Sequence, residues 1–244
     1  MPVDGVIGQS FDIDFFNAEL TVANLGGEGP QFDDEPALRF STIAEYQGVA
    51  LDLIVTNTSE ILVYEPENNG ISGSFGQINL RKDSGTDLKF CFVYSQTYTE
   101  VTIDSFSFTF YDVDSGAGWN TPDVIELLGA SGFKSYTLDP NTTIAVTEVD
   151  GKTYFLSTAM GTGADNPTDP VDLTDEQRTR TVVLTFANTA CFEVSIDSHY
   201  EGSDGPSNDI SIDSGRNYGF AGVGGVAYAC RSEEHTSELQ SHSD

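Results

Sequence analysis

Basic side chains are scarce in this sequence: 10 Lys and Arg stand against 39 Asp and Glu, a formal net charge of −29. Phosphate recognition depends on Lys and Arg, so no nucleic-acid partner is expected, and an anionic membrane surface is disfavoured for the same reason. Histidine is rarer still, with 3 in 244 residues, and tryptophan occurs once, at Trp119. No stretch approaches the roughly 18 to 20 consecutive apolar residues of a membrane helix, so no membrane insertion is expected. The sequence has no CxxC pair, no G-x-S-x-G elbow, no Walker loop and no HExxH. Zinc and thiol redox motifs, hydrolase elbows and nucleotide loops are therefore absent. GTGADN (161–166) is turn chemistry rather than a dinucleotide fingerprint.

Residues 231–242, RSEEHTSELQSH, read as the translation of a sequencing-adapter stretch and are set aside as an artefactual tail running to 244. Without 231–244, which carry Arg231 and four acids, 230 residues remain with 9 basic and 35 acidic groups. His235 and His242 leave with the tail, so His199 is the one histidine left for acid–base work. The stretch 2–16 shows neither the basic n-region nor the apolar h-region of a signal peptide. The expectation is one domain over residues 1–230, cut at both ends. Clustered carboxylates repel one another until something positive sits between them, so this surplus points to cations, with plain solubility as the simpler reading.

Short alternating runs fill the chain, among them SFDIDFF (10–16), GVALDLIVTN (48–57), ILVYE (61–65), DLKFCFVYS (87–95), VTIDSFSFTFYD (101–112), TVVLTFAN (181–188) and DISID (209–213). They are rich in Val, Ile, Thr, Phe and Tyr and are punctuated by Gly, Asn, Asp and Pro, the pattern of antiparallel sheets packed face to face. Asp150-Gly151 fits a type I′ hairpin turn. The one helical candidate is DLTDEQRTR (172–180), with Asp172 or Thr174 as its cap. The fold expected is an all-β, jelly-roll-like antiparallel sandwich with one short helix.

The succession NLGGEGP (24–30), NGISGSFGQINL (69–80), FSFTFYDVD (106–114), GTGADNPTDPVDLTDEQ (161–177) and SGRNYGFAG (214–222) resembles a family of all-β proteins of unassigned activity from single-celled algae. GTGADNPTDP and SGRN-x-x-FAG are its specific motifs. The resemblance implies a secreted or surface-exposed all-β domain and supplies no catalytic residues. The chain departs from that pattern at Val113, where the family has Leu between the two acids, and in the small-residue run VGGVAYA that follows FAG.

Phe106, Phe108 and Phe110 share one strand face, and the same face continues into Asp112 and Asp114. A buried carboxylate costs several kcal/mol without compensation. Water at a strand end, backbone capping in the Ser115-Gly116-Ala117-Gly118 turn, or a bound Ca2+ would each supply it. Asp112, Asp114 and Asp123 are the expected calcium ligands. The acidic loop with Asp165, Asn166 and Asp169, stiffened by two X-Pro bonds and expected to be exposed, is a second candidate or a plain connection. Arg216 is expected either to make an ion pair and cap carbonyls or to grip an anionic sugar; Trp119 either stacks on a ligand or plugs the sandwich. Cys91 and Cys191 pair only if their strands are neighbours, and two free thiols are an equal expectation; Cys230 abuts the tail. Asn57-Thr58-Ser59 and Asn141-Thr142-Thr143 match the N-glycosylation acceptor pattern.

Together these features point to an extracellular or surface binding module, calcium-stabilised, with glycan or matrix as partner. A carbohydrate-active hydrolase or lyase on the same scaffold, needing two carboxylates some 5–10 Å apart, is the rival. A purely structural cell-covering protein is the third reading.

Overall fold

The computed structural model describes residues 11–115, 124–161, 163–200 and 214–222. Strands β1 Glu19–Ala23, β2 Leu38–Tyr46, β3 Val49–Asn57, β4 Gly70–Ser72, β5 Phe75–Arg81, β6 Ser84–Tyr94 and β7 Ile103–Tyr111 make up the first half. The second half holds β8 Val124–Ala130, β9 Ser135–Thr137, β10 Ile144–Val149, β11 Lys152–Ser157, helix α1 Asp175–Thr179, β12 Val182–Thr189, β13 Cys191–Tyr200 and β14 Gly215–Gly222. They pair into an eight-stranded sheet, β1-β2-β3-β6-β13-β8-β11-β10, and a six-stranded sheet, β4-β5-β14-β7-β12-β9. All pairings are antiparallel, as expected for an all-β sandwich. No described helix is long and apolar enough to cross a membrane.

Alternation decides the layers. On β7, Phe106, Phe108 and Phe110 face inward opposite Phe186, Leu184 and Val182 of β12, and Phe220 of β14 lies opposite Phe110 from the other side. From the larger sheet, Phe90 meets Phe108 at 5.4 Å and Phe92 meets Phe106 at 5.1 Å between ring centroids. Such edge-on pairs each contribute about 0.5–1.5 kcal/mol beyond area burial. The cavity left between the sheets, lined by Phe110, Tyr111, Val113, Leu128, Ile196 and Tyr218, holds about 10 Å³. That is at the lower limit for one water molecule, so this cavity is too small for a ligand.

Local signals act as expected at two turns. Asp150 (φ 52°) and Gly151 (φ 79°) both take positive φ between β10 and β11, the type I′ geometry. Thr174 caps α1 in a capping box with Gln177. Two expected strands are not strands. In SFDIDFF, the Asp14 carboxylate accepts from the Phe16 and Asn17 N–H groups and folds the chain into a turn, while Phe15 still reaches the core. ILVYE buries Ile61 but bonds to β5 only sporadically, through Leu62 O to Arg81 N and Glu65 N to Asn79 Oδ1, before Pro66 opens the next turn. Both segments supply apolar side chains without completing a ladder. DISID lies outside the described residues.

Candidate functional site

Three strands of the six-stranded sheet end at the same place, and each carries its inward row one step past the apolar residues. On β7 the row after Phe110 reaches Asp112, on β12 the residue two before Val182 is Arg180, and on β14 the residue two before Tyr218 is Arg216. The registers Val182↔Phe110 and Phe220↔Phe110 bring the starts of β12 and β14 to the end of β7, where the Arg180 and Arg216 charges both act on Asp112. The Val113 N–H to Arg180 O bond at 3.0 Å joins the two segments one residue off the Val182↔Phe110 register, so the ladder shifts where β7 ends. Asp112 itself sits at φ 60°, leaves the strand conformation, and turns the chain so that Asp114 also points inward.

The result is a buried ionic cluster that closes one end of the core. Asp112, Asp114 and Asp165 each bring a carboxylate oxygen within 4.8 Å of the others. Arg180 Nη1 lies 3.4 Å from Asp114 Oδ2 and also pairs with Asp165. Its Nη2 donates to Met160 O and Glu176 Oε1, both at 3.1 Å. Arg216 Nη2 pairs with Asp114 Oδ1 and lies 3.4 Å from the Asp114 carbonyl. Asp114 and Asp165 are each only 2% exposed, and Arg180 5%. Here the compensation for the inward carboxylates is therefore two guanidinium groups, a solution beyond the water, capping and cation considered from sequence.

The 161–170 loop is a correction. It was expected to be exposed, but Asp165 is buried because Arg180 draws it beneath the end of the sandwich. Tyr111 Oη donates to Pro170 O at 3.3 Å, a second tether. Asn166 and Asp169 stay outside the cluster. Asn166 O accepts from Gln177 Nε2, and Asp169 Oδ1 caps the Val171 and Asp172 N–H groups on the surface. Asp123 and Trp119 lie outside the described residues. Arg216 serves the ion pair, with its side chain 16% exposed.

Close approach is built into the backbone. Ser115 N–H donates to Ala159 O at 2.8 Å, and Gly161 N–H donates to Ser115 O at 2.6 Å. A Cβ on Gly161 would collide with both Asp114 carboxylate oxygens. Gly161→Ala should cost about 1–3 kcal/mol, the range for overpacking, read as the urea midpoint; an unchanged midpoint would mean that Asp114 is not seated against this loop.

Three acids and two guanidiniums leave one negative charge over, and burial decides where it is felt. Burial raises the Asp112 carboxyl above its usual range against the pull of Arg216 and Arg180. Burial also pushes Asp114 up to about 6, opposed by Arg216 and assisted by the Asp112 charge. Below its ordinary value of 3.8 Asp114 is protonated in both states; between there and about 6 only the folded chain keeps the proton. Its contribution to stability therefore falls as pH rises through that window. Urea unfolding at pH 4.5 and 7 should show the wild type losing more stability on the way up than Asp114→Asn loses. Equal losses would place the proton on another group.

A second buried ion pair escaped the sequence reading. Asp52 of β3 is fully buried on the outer face of the larger sheet. It accepts from Arg39 Nε (2.9 Å), Thr42 N (3.0 Å), Ser95 Oγ (2.5 Å) and Gln96 N (3.1 Å). Burial pushes its carboxyl up, but the bonds from Ser95, Thr42, Gln96 and Arg39 outweigh it and hold the group below the usual range. Arg39 also donates to Thr97 O at 2.7 Å and lies 5.1 Å from the centre of the Tyr98 ring. This pair is saturated by its own surroundings and clamps the bulged strand β2 and the 95–98 loop. The signal was visible as a single Asp inside the apolar run GVALDLIV, as Arg180 was visible immediately before TVVLTF.

Further along the same outer face, Ser195 Oγ lies between Asp87 and Lys152, whose Nζ is 3.3 Å from Asp87 Oδ1. The Ser195 hydroxyl lowers the Asp87 pKa against its partial burial, and Lys152 adds to the lowering. Lys152 and Ser195 thus share the Asp87 carboxylate on the outer sheet face. Cys91 and Cys191, directly opposite on β6 and β13, form a disulfide with 4.2 Å between Cα atoms.

No protein-family model matches the chain, and no curated protein matches it. Among solved structures, the adhesin domain of PrgB from Enterococcus faecalis bound to DNA is similar in fold, at 13% identity and TM-score 0.46, over 76% of this chain and 66% of that one. The adhesin domain of PrgB from Enterococcus faecalis also matches at 16% and 0.46, over 76% and 62%. The N-terminal domain of the Streptococcus gordonii adhesin Sgo0707 matches at 11% and 0.47, over 76% and 47%. The chain thus spans about half to two thirds of the length of these chains, and the likeness carries no assignment of ligand.

Proposed function

We propose that this domain is an extracellular or cell-surface binding module of the adhesion type, with glycan or matrix as its partner. The observation that carries the reading is the Cys91–Cys191 disulfide, because such bonds persist in oxidising compartments and are rare in the cytosol. The buried cluster supports binding over hydrolysis. A glycosidase presents its two carboxylates to substrate, whereas Asp114 and Asp165 are each 2% exposed and engaged by Arg180. A formal charge of −29 favours neutral or cationic ligands, or anionic ones bridged by divalent cations. The test is retention of the full chain on arrays of neutral and sulfated glycans, matrix proteins and duplex DNA, with sugar release assayed alongside. Saturable binding to glycan or matrix is expected. Released sugar would move the assignment to a carbohydrate-active enzyme, DNA retention would overturn the charge reading, and no binding would leave a structural cell-covering role.

A second reading, that calcium stabilises the module, is favoured by Asp112 Oδ1, which is buried and accepts no hydrogen bond. Calcium takes six to eight oxygens. Asp112, Asp114 and Asp165 would offer carboxylates at suitable spacing, but calcium would have to displace a guanidinium group to gather them. At a hundred times its Kd it should add about 2.7 kcal/mol. Identical melting in EGTA and in millimolar calcium would leave the arginines as the counter-charge.

A further inference from the structure

Two stretches of the chain satisfy the N-glycosylation pattern, and a third, Asn166-Pro167-Thr168, is disqualified by its proline. The fold treats the two differently. Asn57 is half-buried at the end of β3, and its side-chain amide donates to Ser59 O at 2.8 Å. The neighbouring Thr58 N–H is bonded to Asp87 O. Asn141 stands exposed in the β9–β10 connection, on a turn built for display. Asp139 O accepts from Thr142 N–H at 2.9 Å, Asp139 Oδ1 accepts from Asn141 N–H at 2.8 Å, and Pro140 presets the turn. The Asn141 side-chain amide makes no hydrogen bond among the described residues, and an open depression of about 490 Å³ lined by Asp139, Asp175, Glu176 and Arg178 adjoins it.

We propose that Asn141 is an N-glycan attachment site, and that Asn57 is not. The inference rests on the extracellular reading above. In the transfer, Asn141 Nδ2 attacks the anomeric carbon of a lipid-diphosphate-linked oligosaccharide. The N–C bond forms, the C–O bond to the diphosphate breaks, and the Nδ2 proton leaves as the lipid diphosphate departs, with no change of oxidation state. The placement gives the glycan a purpose. Asn141 lies three residues before β10, the edge strand of the larger sheet, whose residues 145–149 are all exposed, including Val146 and Val149. A bare edge strand is a template for pairing with another chain, and a bulky hydrated glycan at its entrance obstructs that approach.

The test is secretion of the full chain behind a leader peptide from a eukaryotic host, followed by peptide mapping before and after peptide-N-glycosidase treatment. The peptide containing Asn141 should carry the glycan and convert to Asp on release. Asn141→Gln and Thr143→Ala should each abolish it, and Asn141→Gln should shift the secreted protein toward higher oligomers. Recovery of an unmodified Asn141 peptide from protein whose Cys91–Cys191 bond is oxidised would overturn the glycan site and leave the extracellular reading standing. So would a glycan found on Asn57 in its place. Free thiols together with a bare Asn141 would remove both.

Discussion

Arg180→Met should cost about 3–5 kcal/mol at neutral pH, the range for leaving a buried charge without its partner. For a domain of this size that is a fall of roughly 6–20 °C in Tm, at about 2–4 °C per kcal/mol. Methionine keeps most of the length of the side chain, so the loss reports charge rather than volume. What remains is Asp165 without its guanidinium, Asp114 held by Arg216 alone, and Asp112 with an oxygen that already lacks a hydrogen bond. The 161–170 loop loses its inner anchor at the same time, since Arg180 also holds Met160 O. The mechanism carries its own signature. Acidification protonates the stranded carboxyls, so the deficit of Arg180→Met should shrink between pH 7 and 5. Neutralising the stranded acids, as Arg180→Met/Asp165→Asn/Asp114→Asn, should restore much of the loss, because well-packed neutral residues often replace a buried ion cluster at little cost. A deficit that stays constant with pH and survives the triple change would mean that Arg180 acts through packing.

That cluster also shows where the reach of the sequence ended. Period-two alternation placed FSFTF on the core face, and β7 runs Ile103–Tyr111 with those rings inward. Asp150-Gly151 and Thr174 were legible because a turn or a cap depends on neighbours a few residues away. The break from phenylalanine to aspartate was legible as well, as the edge of the core. Its compensation was not, because Arg180 lies 66 positions from Asp114 and Arg216 lies 102 away. Only the strand order β14-β7-β12 brings those three strand ends together, and alternation within one strand carries no information about order. Asp165 was misjudged for a related reason: proline and acid content describe a loop's stiffness and charge, while its burial depends on a guanidinium delivered by another element. Asp52 is the contrasting case. An acid on the outer face of a strand reads as solvated until the bulge at Thr42 and the 95–98 loop fold over it.

Reduction of the Cys91–Cys191 bond, or Cys91→Ser/Cys191→Ser, should lower stability by about 2–5 kcal/mol while leaving the fold intact. The two cysteines are 100 positions apart. Closing a loop of that length restricts the unfolded chain by about 4.7 kcal/mol in the chain-entropy account. The folded side is insured separately, because β13 and β6 stay in register from Cys191↔Cys91 to Ser198↔Ser84 and Phe90 stacks on Phe192 at 5.0 Å. The reduced protein should therefore give the same far-ultraviolet spectrum, a lower urea midpoint, and a larger m-value as the released unfolded chain exposes more surface. A collapse of the spectrum would mean that the bond holds the β6–β13 junction itself. Coincident unfolding curves for the oxidised and reduced proteins would remove the bond from the stability of the domain, and with it the reason for an oxidising compartment. The expected difference makes the redox state of the surroundings a condition on the fold: the same chain is measurably weaker wherever thiols are kept reduced.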